Sequence, residues 1–301
     1  MKIGDLIDES VRIMSFTEYQ NLAFAPILGF ERTNNRVTLD CAIKTDEFVV
    51  EEIGRVNSLR INNHLSDEVF IASGMTFEGA SQNRAAIYPA IIPAHTEIDR
   101  FPVHCVEQFQ GLLGSGSRYK DSTTIVIASA RSGVTAHEQE HTWSTINDTM
   151  TRLGAASHTQ DYTSIQKAPK VDEYLSIFGQ PQKDQVGYVA AVRKNGEVFF
   201  CLDLLGSPDM FSKLGNRFYR SVATLAATYA SRNQGDSGKI GNVEKDVSTF
   251  LETAKRTEMK AVDRETYDSK LKGEVYISQA PVQGTALVHW GAPIQVSLRQ
   301  N

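Results

Sequence analysis

Chemically versatile side chains are concentrated in two short segments of this 301-residue chain. Gln82, Asn83 and Arg84 are consecutive in the first segment, and Cys105 and Glu107 stand close together in the second. The planar guanidinium of Arg84 suits a phosphate or a carboxylate, because its donors engage two oxygens at once. Alternate residues of an extended segment share a face, so pairing of the two segments would bring an amide, a guanidinium, a thiol and a carboxylate together.

This polar set has two interpretations, and the sequence leaves both open. In the functional one, the three consecutive polar residues bind an anion, and Glu107 or Cys105 lies near the chemistry. Glu107 suits a general acid or base, whereas Cys105 would need a nearby base, and His104 alternates to the opposite side of a regular strand. In the structural one, the three residues satisfy backbone groups in a turn, Glu107 is their ion-pair partner, and Cys105 is a small buried side chain.

A second set of residues matches a zinc signature. His137, Glu138 and His141 follow the H-E-x-x-H pattern, in which two histidines on one helical face ligate zinc and the glutamate acts as a base. Against zinc, Thr135 and Glu138 form a capping box. Both histidines also lie well around the helix from the apolar stripe that begins at Trp143, and no third-ligand pattern follows. The sequence therefore favours an exposed helix start without metal, with the zinc site as the alternative.

Asp203 is the remaining candidate for binding a ligand. It stands shortly before Ser207, which suits a helix N-cap, and Pro208, which suits the first helical position. Free backbone donors at such a helix start can hold an anion. Asp203 is therefore either a carboxylate of the site or a residue that completes the end of a strand.

Strands dominate the first half of the chain. Short apolar runs separated by Gly, Asn, Asp or Pro predict strands at residues 48–50, 58–62, 69–72, 85–92, 98–106 and 124–129. Residues 111–120 predict a mobile loop, since they lack the Gly-Lys-Ser/Thr ending of a phosphate-binding P-loop. After Gly133 the apolar period becomes helical, and the predicted buried stripe consists of Trp143, Ile146, Met150 and Leu153.

The second half carries strong local signals. Runs at residues 186–192 and 197–204 flank Asn195-Gly196, a dipeptide typical of a type I′ hairpin turn. The helix that follows Pro208 should bury a single apolar face, because its large apolar residues recur at helical spacing.

The C-terminal part should alternate loop, helix and strand. Polar residues 231–242 predict a surface loop, and a second amphipathic helix should start at Val243. Closing strands are predicted at residues 274–277, 286–290 and 294–298. We expect His289 and Trp290 to lie in the core rather than to bind a ligand.

The order of elements predicts an α+β fold. It should consist of a mostly antiparallel sheet or sandwich with a few packed helices, two of them in the C-terminal half. We expect a single domain over residues 1–301, with a subdivision near residue 130 as the alternative.

Composition excludes several classes of partner. The net charge of −5 and the lack of a Lys/Arg cluster argue against nucleic acid. We expect a cytoplasmic protein without membrane contact, because no run approaches the roughly 20 apolar residues of a membrane span and the N-terminus lacks a signal-peptide layout. The three cysteines favour reduced thiols over a disulfide framework. Nothing indicates a cofactor, and a homo-oligomer stays open.

Two motifs carry a family resemblance. Gly-x-x-x-x-Gly-Ala-x-Gln-Asn-Arg at residues 74–84 and Pro-Val-x-Cys-Val-Glu at 102–107 resemble a prokaryotic family of uncharacterised proteins named for association with ADP-ribosylglycohydrolases and rhodanese-phosphatases. Trp143, the run at 202–208 and the Arg220-Ser221 pair fall where that family has similar residues. Met75 replaces an acidic residue of many members, and Phe-Gln-Gly at 109–111 replaces their Gly-Arg-Trp, so those family residues are not transferred here.

The resemblance implies a compact α+β domain with a role near ADP-ribose or related nucleotide metabolism. Two functions follow as hypotheses. The first is a hydrolase or transferase that acts on an ADP-ribose-like or other nucleotide metabolite, which would be a small anionic ligand. The second is a non-catalytic ligand-binding or assembly module, because a member that lacks family site residues could retain only the fold.

Overall fold

The computed structural model describes residues 1–29, 31–33, 36–108, 115–131, 139–230, 240–263 and 268–300. Strands of the first half are β1 (Arg12–Ile13), β2 (Thr17–Tyr19), β3 (Leu22–Leu28), β4 (Val37–Thr38), β5 (Phe48–Ile53), β6 (Ser58–Asn63), β7 (Val69–Ile71), β8 (Thr76–Phe77), β9 (Arg84–Ala86), β10 (Ala90–Ile92), β11 (Thr96–Cys105) and β12 (Ser115–Arg118). Those of the second half are β13 (Gln185–Lys194), β14 (Glu197–Leu205), β15 (Lys260–Ala261), β16 (Glu274–Ser278), β17 (Gln283–His289) and β18 (Ala292–Gln300). The helices are α1 (Leu39–Ala42), α2 (Gln139–Leu153), α3 (Tyr162–Ile165), α4 (Pro169–Leu175), α5 (Pro208–Thr228) and α6 (Val243–Arg256).

These strands form three sheets. The largest has nine strands in the order β1-β3-β13-β14-β18-β17-β16-β15, with β2 also paired to β3. A six-stranded sheet runs β12-β5-β6-β11-β9-β8, and a three-stranded sheet runs β10-β7-β4. Within the described residues β4 and β7 pair in parallel, and the other ladders between named strands are antiparallel. The predicted α+β class with mostly antiparallel sheets is confirmed.

The nine-stranded sheet is buried on both faces around β13. Successive side chains of a strand point to opposite faces. Tyr188 and Ala190 accordingly belong to the apolar cluster that includes α5, whereas Val189 and Ala191 belong to the cluster that includes α6. Burial on both sides explains why residues 186–192 of this strand do not alternate with charged residues. No helix in the described ranges is long and apolar enough to cross a bilayer.

One apolar cluster joins the two halves of the chain. Phe70 and Ile127 come from the first half, and Phe218 and Leu287 from the second, and all four are buried in the same cluster. The shared core supports a single domain, which stays a prediction.

Local signals of the second half are confirmed. Asn195 and Gly196 link β13 and β14 with φ of +52° and +90°, the positive dihedrals that a type I′ turn requires. Ser207 caps α5, where its Oγ accepts a hydrogen bond from the Met210 N–H at 3.2 Å, and Pro208 occupies the first turn.

The predicted strand at residues 85–92 is wrong in extent. The chain forms β9 and β10 here, and they belong to different sheets. Pro89 lies between them, and a proline cannot donate a ladder hydrogen bond. Residues 85–92 are continuously apolar because the chain is buried before and after this bend, and not because they form a single strand.

Two further predictions need correction. Residues 124–128 are buried and Ser129 is partly buried, but the segment forms no strand; it makes an isolated bridge between Ile125 and Met75 and then turns. Residues 115–118 of the predicted loop at 111–120 form β12, which pairs with β5, and residues 111–114 lie outside the described ranges. In both places the structure depends on pairing with a segment that is distant in sequence. The local sequence does not indicate which segment that partner is.

Helix α2 confirms the predicted helical period in part. Ile146 and Met150 are buried, whereas Trp143 and Leu153 are only partly buried. The inner face also contains Thr142 and Thr149, which a search for apolar stripes does not detect. The loop predicted at 231–242 falls mostly outside the described residues.

Trp290 was expected in the core, and this prediction is wrong. Its side chain is 85% exposed, while His289 is buried at 9%. Trp290 and Gly291 form the two-residue turn between β17 and β18, with φ of +52° and +75°, so the ring points away from both faces of the sheet. The ring stacks on His289 at a centroid distance of 4.3 Å.

Replacement of Trp290 by Asn should stabilise the protein. A left-handed backbone costs a bulky residue roughly 1–2 kcal/mol, whereas Asn adopts it readily, and the equivalent turn at Asn195-Gly196 uses Asn. Loss of the stack on His289 offsets part of this gain. We expect the free energy of unfolding to rise by about 0.5–1 kcal/mol in urea denaturation. Asn195→Trp is the matched control and should lower it; a loss of stability in Trp290→Asn would show that the stack outweighs the strain.

Candidate functional site

Pairing of β9 with β11 brings the two polar segments together. Cys105 lies opposite Arg84 in the antiparallel ladder, and His104 lies opposite Ala85. Because side chains alternate along each strand, Arg84 and Cys105 share one face and His104 lies on the other. The convergence predicted from the sequence is therefore present.

Arg84 is a buried cation whose charge has no ion-pair partner among the described residues. Its side chain is 0% exposed. Nη1 donates to the carbonyl of Gln82 at 3.4 Å, while Nε and Nη2 have no hydrogen-bond partner, and no carboxylate of the described residues lies within 4.0 Å of the guanidinium. The Nε and Nη2 hydrogens lie along one edge of the planar group, and this edge matches the two oxygens of a carboxylate or phosphate.

Gln82 organises the groups around this guanidinium. Its Nε2 donates to the backbone carbonyl of Glu107, and its Oε1 accepts from the thiol of Cys105 at 3.6 Å. Its own carbonyl accepts from the hydroxyl of Tyr119 at 2.9 Å as well as from Arg84. The amide of Gln82 therefore positions neighbouring groups, as the structural interpretation expected.

Two members of this cluster were not found by the sequence analysis. Glu52 is 4% exposed, and its Oε1 accepts from the hydroxyl of Tyr119 at 3.2 Å. Its Oε2 has no partner among the described residues. Glu52 follows Phe48 and Val50 on the inward face of β5. Side chains of a strand alternate between its two faces, so an acidic residue at a position that should point inward was the signal that could have identified Glu52.

Cys105 is poorly suited to act as a nucleophile. Burial raises the pKa of its thiol to about 11; the charge of Arg84 lowers this pKa, and that of Glu52 raises it further. The thiol also donates weakly to the carbonyl of Val56 at 3.7 Å. Since the thiolate is the reactive form, Cys105 stays unreactive near neutral pH.

Glu107 and Asn83 extend the cluster towards the surface. The backbone N–H of Asn83 donates to Oε2 of Glu107 at 3.0 Å, and Nδ2 of Asn83 donates to Oδ1 of Asp161 at 3.1 Å. Glu107 is therefore held by Asn83 rather than by the ion pair with Arg84 that the structural interpretation expected.

An open pocket lies beside this end of the cluster. It has a volume of about 360 Å³, and its lining includes Asn147, Ser157, His158 and Gln160. Asn147 donates to the side chain of Gln108, the residue after Glu107, at 3.2 Å. A pocket of this size with several polar groups is a typical site for a small ligand.

Asp203 lies in a separate cluster. Its two oxygens accept a bidentate pair of hydrogen bonds from Arg131, both at 2.8 Å, and the hydroxyls of Tyr188 and Ser297 also donate to them. Burial alone would raise the pKa of this carboxyl, but Arg131 and the two hydroxyls hold it below its ordinary value. A carboxylate has about four acceptor positions, and these four donors occupy them. The contacts therefore match the structural alternative for Asp203.

The first glycine of the motif serves this second cluster. Gly74 has φ of +81°, and a Cβ at this position would lie 2.5 Å from Cδ of Arg131. Only glycine allows both the left-handed backbone and the close passage of the arginine side chain.

The histidines of the zinc signature are only partly described. His141 is exposed, and its Nε2 lies 3.4 Å from the carbonyl of Ser129. Thr135, His137 and Glu138 lie outside the described residues, as do residues 109–111. Among the described residues no group of three or more His, Cys, Asp and Glu side chains could hold a metal ion, and a zinc-free protein stays a prediction.

Comparison with known proteins identifies the family and nothing further. No curated protein and no solved structure matches the chain. The family model of the ARG and Rhodanese-Phosphatase-superfamily-associated Protein domain matches residues 10–298. The match includes both polar segments and extends beyond residue 230, where the motif resemblance fades. The chain belongs to the family of ARG and Rhodanese-Phosphatase-superfamily-associated Proteins.

Proposed function

We propose that this chain binds a small anionic metabolite of the ADP-ribose or nucleotide class and acts on it as a hydrolase or transferase. The Nε and Nη2 edge of Arg84 is the anchor for the anion, and Glu107 is the general acid or base. The observation that carries the proposal is the complete burial of a guanidinium whose two-donor edge has no partner among the described residues.

The burial of the charged Arg84 side chain supports the proposal. An ionised group removed from water needs a partner, because its desolvation costs several kcal/mol or more. Arg131 meets this requirement with the bidentate carboxylate of Asp203. Within the described ranges, the acceptor that Arg84 meets is the Gln82 carbonyl, at Nη1. A bound phosphate or carboxylate would supply the missing acceptors, and the family association with ADP-ribosylglycohydrolases supports a phosphate-bearing ligand.

Glu107 is the better choice for proton transfer. The Asn83 N–H holds its Oε2 at 3.0 Å and so fixes the orientation of the carboxylate, which general acid–base catalysis requires. Cys105 stays a neutral thiol, because burial raises its pKa to about 11.

Access to Arg84 requires a local movement. The exposed turn at residues 54–57 covers the cluster: the carbonyl of Val56 accepts from the Cys105 thiol at 3.7 Å, and the carbonyl of Asn57 accepts from the Val103 N–H at 3.1 Å. We expect a displacement of this turn to break these two hydrogen bonds and to open a path to Arg84.

Burial also favours a second candidate function, a non-catalytic binding module. Arg84 and Cys105 are both 0% exposed and Glu107 is 6% exposed. A site this closed suits a ligand that is retained as well as one that turns over. Recovery of the ligand after incubation separates the two functions.

Binding and turnover should respond to different substitutions. We expect ADP-ribose or NAD to raise the melting temperature, because a ligand that binds only the folded state stabilises it. Arg84→Lys keeps the charge but loses the two-donor edge, so affinity measured by calorimetry should fall at least tenfold. Glu107→Gln should retain the ligand and lose turnover. Arg118→Lys, at an exposed arginine in β12 of the same sheet, is the matched control and should change neither.

Three outcomes would contradict parts of the proposal. Unchanged anion affinity in Arg84→Lys would remove the anchor, and unchanged turnover in Glu107→Gln would remove the catalytic role. A ligand that stabilises the protein but is recovered intact would establish the binding module instead.

A further inference from the structure

Glu52 is a buried acid that the proposed binding role of Arg84 leaves unexplained. It lies on the inward face of β5 and is 4% exposed. Its Oε2 has no partner within the part of the chain that the structure describes. A buried carboxylate with an unmet acceptor is costly unless a donor reaches it.

Tyr119 supplies only part of what this carboxylate needs. Its hydroxyl lies 3.2 Å from Oε1 of Glu52 and 2.9 Å from the carbonyl of Gln82. A hydroxyl has a single proton and serves one of these acceptors at a time. Glu52 therefore receives at most one shared hydrogen bond for two carboxylate oxygens.

Glu52 and Arg84 are linked through the same neighbouring groups without touching each other. Tyr119 contacts Glu52, and both Tyr119 and Arg84 donate to the carbonyl of Gln82. The charge of Arg84 lowers the pKa of the Cys105 thiol, and the charge of Glu52 raises it. Their charged groups are nevertheless more than 4.0 Å apart, since no salt bridge joins them among the described residues.

We propose that Glu52 is a specificity-determining residue that selects anions carrying a hydroxyl donor beside their charged oxygens. This inference rests on the proposed anion site at Arg84. The guanidinium edge takes the oxygens of the ligand, and the carboxylate accepts a hydrogen bond from its hydroxyl. The matching chemical class is a phosphorylated polyol, such as a ribose phosphate.

Repulsion between Glu52 and the negative charge of the ligand strengthens the selection for hydroxylated anions beyond the effect of a single hydrogen bond. A phosphate without a hydroxyl brings negative charge close to Glu52 and offers that carboxylate no donor. A hydroxylated phosphate of the same charge satisfies both buried groups. Sites built to hydrogen-bond a ligand hydroxyl reject the analogue that lacks it, because their own polar groups are then unpaired.

A matched pair of ligands tests the inference. Glycerol 3-phosphate and propyl phosphate have the same charge and nearly the same shape, and only the first carries hydroxyls. We expect calorimetry to show that the wild-type protein prefers glycerol 3-phosphate at least tenfold. In Glu52→Gln the preference should fall below threefold, because affinity for propyl phosphate rises once the repulsion is removed. Glu51→Gln is the matched control: it makes the same change at the neighbouring acid, which lies on the opposite face of β5 and pairs with Arg118, and it should keep the preference.

The outcomes separate this inference from the proposed function. Equal affinity for the two phosphates in the wild type, with both lost in Arg84→Lys, would overturn the role of Glu52 and leave the anion site intact. Binding of neither phosphate at millimolar concentration would overturn both. If Glu52→Gln does not fold, Glu52→Asp keeps the charge but withdraws it by one methylene, and an undiminished preference in that variant would also overturn the inference.

Discussion

Replacement of Arg131 by Met is expected to lower the free energy of unfolding by about 3–5 kcal/mol, the range for breaking a buried ion pair. Asp203 is 1% exposed and accepts both of its short ionic hydrogen bonds from Arg131. Without the guanidinium, a buried carboxylate would retain only the hydroxyl donors of Tyr188 and Ser297. Urea denaturation at neutral pH measures the loss directly.

The control for this prediction removes the second charge as well. In the double variant Arg131→Met with Asp203→Asn, a neutral amide replaces the stranded carboxylate, and at least half of the lost stability should return. A double variant no more stable than Arg131→Met would show that the packing of Arg131 against Phe218, rather than its charge, is what matters.

The pH dependence provides a second check on the same pair. The pKa of Asp203 is lowered in the folded protein, so its contribution to stability is full above the unfolded-state pKa of roughly 3.9 and is lost as the pH falls through the lower folded-state value. The difference in the free energy of unfolding between wild type and Arg131→Met should therefore become smaller as the pH is lowered. If the difference in the free energy of unfolding stays constant down to pH 3, the stability lost in Arg131→Met does not come from the charge of Asp203.

Features set by a few consecutive residues could be predicted from the sequence. The Asn195-Gly196 turn and the Ser207-Pro208 helix start need particular backbone dihedrals and capping groups, and only a few residue types provide them. The prediction for Trp290 was wrong, because this large aromatic residue occupies a hairpin turn whose backbone dihedrals favour Asn.

Features set by distant pairing could not be predicted in this way. Strand β3 lies between β1 and β13 in the largest sheet, yet its seven residues gave no prediction. Short apolar segments of this kind do not reveal their partners.

The candidate site shows the same division. Arg84 and Cys105 were predicted to converge if their two segments pair, because alternate side chains of a strand share a face, and the segments do pair. Glu52 lies in β5, and Tyr119 directly follows β12; the ladders β5–β6 and β12–β5 bring both to the cluster. Asp203 stayed open between a ligand-binding carboxylate and a residue at a strand end, because its partner Arg131 is far away in sequence and showed no motif of its own.

Replacement of Arg84 by Met is expected to have the opposite consequence to the same change at Arg131. Met fills a similar volume without bringing charge into the interior. Because Nε and Nη2 of Arg84 lack partners among the described residues, removal of the guanidinium relieves a desolvation penalty of about 1–3 kcal/mol for each unsatisfied group. Loss of the favourable field on the nearby Glu52 offsets part of this gain. The free energy of unfolding should therefore stay unchanged or rise.

Anion binding should disappear in the same variant, with affinity for ADP-ribose or phosphate falling more than tenfold in calorimetry, because Met offers no donor to either oxygen. Stability and binding then change in opposite directions, as expected where a charged residue is retained for a ligand rather than for the fold. A stability loss in Arg84→Met as large as that in Arg131→Met would instead show that the protein itself compensates the charge of Arg84. That result would remove the physical reason to place an anion beside it.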